Sequence, residues 1–320
     1  SCVQRLDSTE PARARRIFHP TTPRYAHANM TACDYELLDS GAGRKLERFG
    51  PLVLSRPAAQ AMWRPARPPE VWAAADASFD RDQGMAWTIR TRLPDEWTIV
   101  VEGLRFRLSA TEFGHVGLFP EQRSMWRWLR HRIEGARRTG AMPPPTLLNL
   151  FAYSGGATLA ALAAGAEVCH VDASRGMVQW ARENAARNGL ATAPARWIVE
   201  DVHKYLRREH RRGRRYRAIV LDPPTFGRGA SGEVYKIERD LMTTLDMCRA
   251  VLADDPLFVL LSAHTPGLTP IGLANALRQA MQGLGGEIDC GELLLTGADD
   301  VLPLPSGAWA RWTAERSTTG

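Results

Sequence analysis

Apolar residues in the second half of the chain cluster in short unbroken runs. Thr146-Leu147-Leu148-Asn149-Leu150, Ala166 to Asp172, Arg196-Trp197-Ile198-Val199, Ala218-Ile219-Val220-Leu221 and residues 257–261 are each of strand length. Continuous rather than alternating runs predict strands covered on both faces. Helical stretches separate them. Residues 159–165 are alanine-rich; residues 175–187 follow a capping Ser174 and stop at Asn188-Gly189; residues 234–252 read as a further helix. Strands alternating with helices predict an α/β fold with a parallel sheet. The remainder to Glu315 is expected to add one helix and an antiparallel strand pair at the sheet edge.

The N-terminal part has a different pattern. Tyr35-Glu36-Leu37-Leu38, Leu52-Val53-Leu54, Ala86-Trp87-Thr88-Ile89 and Trp97-Thr98-Ile99-Val100-Val101 read as strands, the last returning through Glu102-Gly103 as Leu104 to Leu108, a hairpin. Residues 1–29 carry Pro, Arg and Ser without apolar periodicity. The expected organisation is a disordered tail over 1–30, a β-rich domain over 31–112 and an α/β domain over 113–320.

Candidate chemistry begins where the first of the continuous strands ends. After Leu150 comes Phe151-Ala152-Tyr153-Ser154-Gly155-Gly156-Ala157-Thr158, a small-residue turn opening a helix, and the next strand ends at Asp172, 17 positions after Gly155. A carboxylate at the tip of the second strand of a βαβ unit is placed to accept from ribose hydroxyls. The loop lacks the Gly-x-Gly-x-x-Gly of dinucleotide sites and the lysine of a triphosphate loop. A nucleoside without phosphate fits, of which S-adenosylmethionine is the common case. Asp222-Pro223-Pro224-Thr225-Phe226 follows the 218–221 strand directly, so Asp172 and Asp222 are expected on one rim.

Composition adds little. Hydrophobic residues make up 44% and charged residues 24%, ordinary for a globular chain. The net charge is +6, and of 41 basic residues only Lys45, Lys204 and Lys236 are lysines, which permits a polyanionic partner without requiring one. The five cysteines are scattered without metal-type spacing, which predicts no metal site and a reduced, cytoplasmic compartment. No apolar run approaches the ~20 residues of a membrane span. Oligomeric state is not readable from the pattern.

The series Asn149 to Gly156, Val171 to Ser174, Asn184 with Asn188-Gly189-Leu190, Glu200-Asp201 and Asp-Pro-Pro-x-Phe resembles the class I S-adenosylmethionine-dependent methyltransferases, and within them the bacterial group that methylates bases of large-subunit ribosomal RNA. The resemblance covers residues 113–265. It implies a Rossmann-like seven-stranded sheet behind an N-terminal β-rich domain. It further implies an S-adenosylmethionine site built from Asn149, Phe151, Tyr153, Ser154, Gly155, Asp172, Ala173, Ser174 and Asp222, with Asp201 accepting from the adenine amino group and the Val202 N–H meeting a ring nitrogen. Residues 114–123 resemble the family's Gly-x-Phe-Leu-Asp-Gln-Arg segment, with Pro120 and Glu121 in place of Leu-Asp; Gln122 and Arg123 are candidates for closing over the cofactor or orienting the base.

Methyl transfer from a sulfonium is an in-line displacement in which the enzyme positions a nucleophile. Cytosine C5 methylation requires a cysteine thiolate, and neither Asp222-Pro223-Pro224-Thr225 nor Ser262-Ala263-His264 carries one. A nitrogen target fits better. Asp222 and the Pro223 carbonyl are placed to accept from an amine, with Pro224 shaping the turn and Phe226 packing on the base. The spelling is closest to relatives that methylate N7 of guanine. Two alternatives are a cytosine-C5 RNA methyltransferase and a non-catalytic S-adenosylmethionine-binding, RNA-binding module. The arginine run 207–215 precedes a strand and is expected at the amino ends of the sheet, away from the rim. The six tryptophans between Trp63 and Trp128 are expected mainly in cores, and His264 to satisfy a loop carbonyl.

Overall fold

The computed structural model describes residues 34–80, 84–91, 93–138, 143–229 and 232–315. The expected tail, residues 1–30, lies outside them. All described residues belong to the compact unit Thr31–Gly320.

A five-stranded sheet comes first, in chain order: β1 (Tyr35–Gly41), β2 (Arg44–Phe49), β3 (Leu52–Pro57), then a short helix α1 (Pro69–Ala73), β4 (Ala77–Asp80) and β5 (Ala86–Ile89). A separate hairpin follows, β6 (Trp97–Val101) and β7 (Leu104–Leu108). Its turn is the expected Glu102-Gly103, both at positive φ (53° and 73°), as a two-residue turn matching strand twist requires.

Strands β2 and β4 were not expected from the pattern. Strand β2 reads Arg-Lys-Leu-Glu-Arg-Phe, a polar string, yet Glu47 is fully buried. It accepts from the Tyr35 hydroxyl at 3.0 Å and from Arg56 Nε at 2.9 Å, and Lys45 Nζ lies 3.2 Å away. A buried ion network therefore replaces the apolar side chains that would mark a strand.

The α/β part contains α2 (Arg123–Arg138), β8 (Thr146–Leu150), α3 (Gly156–Ala163), β9 (Glu167–Asp172), α4 (Arg175–Arg187), β10 (Ala195–Val199), α5 (Val202–Arg211) and β11 (Ala218–Leu221). It continues with a small hairpin, β12 (Phe226–Arg228) and β13 (Val234–Lys236), then α6 (Ile237–Ala250), β14 (Phe258–Ala263), α7 (Pro270–Ala280), β15 (Glu287–Leu295) and β16 (Leu304–Thr313). The seven-stranded sheet has the order β10-β9-β8-β11-β14-β16-β15. Pairing is parallel from β10 to β14 and antiparallel for β14 with β16 and β16 with β15. The expected edge pair is therefore present. Residues 234–236, read as the start of a helix, instead pair with 226–228, and α6 begins at Ile237.

Both sheet faces are covered, which explains the unbroken apolar runs. Leu147, Ala218, Val220, Phe258 and Leu260 point to a core shared with α2, α3 and the N-terminal sheet. Leu148, Leu150, Ile219, Leu221, Val259 and Leu261 point to a second core under α5, α6 and α7. Each fully buried Leu, Ile, Val or Phe side chain among them contributes about 1.5–3 kcal/mol. The tryptophans in question serve the fold: Trp97 and Trp126 are buried, and Trp63, Trp72 and Trp87 donate to Ser40 O, Asp39 Oδ2 and Thr111 O.

Candidate active site

The parallel strands expose their carboxyl ends on one rim, and the chain jumps from β10 back to β11 beside β8. This is a topological switch point, where ligands bind in open α/β sheets. In spatial order the rim carries Asp201 after β10, Asp172 at the end of β9, the Phe151–Gly155 turn after β8, Asp222 after β11 and His264 after β14.

The turn after β8 is held in an unusual conformation. Phe151, Tyr153 and Gly155 all have positive φ (54°, 49° and 95°), two of them at non-glycine residues, where L side chains are strained. Local bonds hold it there. Asp172 Oδ2 accepts from Tyr153 N at 2.9 Å and Oδ1 from Ser174 N at 2.8 Å. Burial raises the Asp172 pKa, and these two bonds oppose the rise. Ser154 Oγ donates to Gly117 O at 2.6 Å, and Asn184 Nδ2 to Ser154 O at 3.0 Å. Asn184 Oδ1 also accepts from Arg107 N, and Asn188 bonds the backbone of Arg105. The Asn184 and Asn188 of the motif series thus fasten the β6–β7 hairpin and the turn to α4.

Between the turn, α2 and the β11 and β14 ends lies a cleft open to solvent. Its polar lining includes Gln122, Asn149, Ser154, Asp222 and Ser262; its apolar lining includes Phe119 and Trp126. Asn149, Val220, Asp222, Leu260 and Ser262 share one alternation phase of their strands, that of the α2 side. The cleft begins where the apolar series on that face gives way to polar residues. Gly156 borders it because a Cβ there would sit 2.3 Å from the Trp126 ring. Gly156→Ala is therefore expected to cost about 1–3 kcal/mol by overpacking and to weaken cofactor binding, checked by thermal unfolding and calorimetry.

Asp222 is the most heavily engaged group on the rim. Ser262 Oγ donates to its Oδ1 at 2.8 Å, Gln122 Nε2 to its Oδ2 at 3.1 Å, and His264 Nε2 stands 3.5 Å from Oδ2. Gln122 Nε2 donates its other hydrogen to Ser262 Oγ at 2.9 Å. Burial works to raise the Asp222 pKa, but His264, Ser262 and Gln122 outweigh it and hold the carboxyl below its ordinary range. Burial would lower that of His264; the charges of Asp222 and Glu121 and the Ser306 carbonyl raise it to about 10. His264 Nδ1 lies 2.8 Å from Ser306 O, so the expected carbonyl partner is present.

The other expected residues are distributed as follows. Pro223 is buried, while Pro224 and Phe226 are exposed, Phe226 on β12 with Arg228 over its ring at 5.7 Å. Ala173 follows Asp172, and Ser174 caps α4 by accepting from Met177 N. Asp201 caps α5 by accepting from Lys204 N at 2.9 Å, with Val202 as the first helical residue. Arg123 is not among the cleft-lining residues; its guanidinium reaches Thr296 and lies over Tyr35. None of the described cysteines is among the cleft-lining residues: Cys169 lies within β9, Cys248 within α6 and Cys290 within β15. Sequence reasoning missed Gly117, Phe119 and Ser262. For Ser262 the signal was available in its alternation phase with Leu260.

A family model described as S-adenosylmethionine-dependent methyltransferase matches residues 70–254. The chain belongs to that family. A solved S-adenosylmethionine-dependent methyltransferase from Agrobacterium tumefaciens is 42% identical to it, with a TM-score of 0.83, over 89% of this chain and 91% of that one. Ribosomal RNA large subunit methyltransferase K of Neisseria meningitidis serogroup B is 29% identical over 179 residues, covering 55% of this chain and 48% of its own length. Ribosomal RNA large subunit methyltransferase I of Aeromonas hydrophila is 30% identical over 162 residues, covering 49% and 38%. The chain thus spans about half or less of the length of these curated relatives. No helix among the described residues of this methyltransferase is long and apolar enough to cross a membrane, and no cluster of three or more His, Cys, Asp or Glu among them is arranged to hold a metal ion.

Proposed function

We propose that this methyltransferase acts on a base nitrogen of RNA, with guanine of large-subunit ribosomal RNA as the target and the cytoplasm as its place of action. The observation that carries the reading is the Asp222 carboxylate at the cleft edge, held by three side chains, followed four residues on by the exposed Phe226, and with none of Cys169, Cys248 and Cys290 in the cleft lining. The curated relatives named as ribosomal RNA methyltransferases support the substrate class.

The cofactor fits this rim. When bound, S-adenosylmethionine supplies a sulfonium methyl group. Each Asp172 oxygen spends one lone pair on a backbone N–H and keeps another for a ribose hydroxyl. Asp201 and the Val202 N–H face the adenine, with Ala173 and Ser174 along the ribose edge. Asn149, Phe151, Tyr153, Ser154, Gly155 and Gln122 surround the methionine portion, and Arg123 braces the segment that carries Gln122. Asp222 and the Pro223 carbonyl accept from the base, Pro224 shapes the turn, and Phe226 packs on the ring. Residues 31–112 form the domain that presents RNA to residues 113–320.

Incubation with methyl-labelled S-adenosylmethionine and unmodified large-subunit ribosomal RNA, followed by nucleoside analysis, tests the reading. Labelled methylguanosine is the expected product; labelled 5-methylcytidine would overturn it.

A further inference from the structure

Three elements converge on Asp222 besides its own strand: the 3-10 turn Pro120–Gln122, the end of β14 and the start of β16. The residue joining them is His264. Its Nδ1 faces the Ser306 carbonyl at 2.8 Å, its Nε2 faces Asp222 Oδ2 at 3.5 Å, and its ring packs against Phe119 with centroids 5.3 Å apart. Phe119 in turn packs on Tyr153 of the strained turn at 5.2 Å. The ring is therefore fixed at both nitrogens and on one face.

We propose that His264 is a positioning residue for methyl transfer: held by the Ser306 carbonyl, it fixes the direction in which the Asp222 carboxylate faces the cleft. The proposal rests on the reading of Asp222 as the group that contacts the base. Geometry assigns the roles of the lone pairs. Gln122 and His264 occupy the Oδ2 side and Ser262 one position on Oδ1, which leaves the remaining Oδ1 position for the substrate. Without His264 the carboxylate keeps Ser262 on Oδ1 and Gln122 on Oδ2 but loses its cationic partner on the Oδ2 side, and a misplacement of about 1 Å at a reacting centre can cost about 10²-fold in rate. The charged groups facing the imidazole are Asp222 from the end of β11 and Glu121 from the 3-10 turn, whose Oε1 lies 3.6 Å from Nδ1.

The test uses the full chain and its His264→Gln and Asp222→Asn variants. Methyl transfer to the RNA is measured against pH at saturating S-adenosylmethionine, and the ring of His264 is followed by nitrogen NMR without substrate. The expected result for His264→Gln is a kcat lower by about tenfold to 10²-fold, a cofactor dissociation constant within about threefold of the wild type, and an acid limb of the rate profile moved to higher pH, because Asp222 has lost its facing cation. A merely structural role would lower the melting temperature and leave the acid limb in place. The ring is expected to stay protonated through pH 8 in the wild type and to lose its proton at lower pH in Asp222→Asn. An unmoved kcat and acid limb in His264→Gln, or a neutral ring at pH 8 in the wild type, overturns the proposal. Full transfer by Asp222→Asn instead removes the reading of Asp222 on which it rests, and the two failures are distinct.

Discussion

Asp222→Asn is expected to lower kcat by about two orders of magnitude or more while leaving S-adenosylmethionine binding nearly intact. The amide is isosteric, but its NH2 donates where the carboxylate accepts. If its oxygen keeps the Ser262 hydroxyl, its nitrogen confronts Gln122 Nε2 and His264 Nε2, both of which face Oδ2 in the wild type. If it flips, the Ser262 hydroxyl must accept from the NH2 in place of donating to a carboxylate oxygen. Either arrangement removes the negative charge from the cleft edge and releases His264 from the charge that raises its pKa. The backbone groups of the Phe151–Gly155 turn and the Asp172 carboxylate are untouched, so cofactor affinity should move less than threefold. Single-turnover methyl transfer together with calorimetric titration of the cofactor separates the two quantities. A variant with wild-type kcat would remove Asp222 from the reaction.

The second large effect is on stability and lies in the N-terminal sheet. Glu47→Gln is expected to destabilise the fold by about 3–5 kcal/mol, the cost of leaving buried charges without their partner. Arg56 is buried and reaches Glu47 Oε2 through both Nε and a terminal nitrogen, at 2.9 and 2.8 Å, while Lys45 lies against Oε1 at 3.2 Å. Burial works to raise the Glu47 pKa, but Arg56 and Lys45 outweigh it, so the folded-state value lies below the ordinary 4.5. The unfolded chain then takes up this proton first as pH falls. The stabilisation is present above about pH 4.5 and is lost as pH drops through the folded-state value. Urea unfolding of wild type and variant should show the difference at pH 7 shrinking toward acid; a variant within 0.5 kcal/mol of wild type (within the scatter of ordinary surface substitutions, about 0.5 kcal/mol) would count against the network. The consequence extends toward the site, since Arg56 also donates to Gly114 O at 3.1 Å, in the segment leading to Gly117 and Gln122.

The sequence by itself determined the parallel sheet, the βαβ unit and the rim carboxylates. Apolar runs such as 218–221 satisfy two cores at once, so few alternatives compete with a doubly covered strand. The acidic residues directly after those runs could only lie at the carboxyl ends. The edge pair of strands and the Glu102-Gly103 turn were legible for the same reason: local chemistry and global fold agree there.

Tertiary structure alone decided the rest. Strand β2 was hidden because its inward positions include Glu47, whose charge is met by Arg56 on β3 and by Lys45. Residues 226–228 and 234–236 read as loop and helix in isolation but pair as antiparallel strands, Phe226 with Lys236. Arg123, adjacent to Gln122 in sequence, diverges from it because the 3-10 turn ends there and α2 begins, turning one side chain to Asp222 and the other to Thr296. The clamp on Asp222 draws residues 122, 262, 264 and 306 together from three separate elements. Only the packing of those elements sets such distances, because no local spacing in the chain encodes contacts between residues 40 to 140 positions apart.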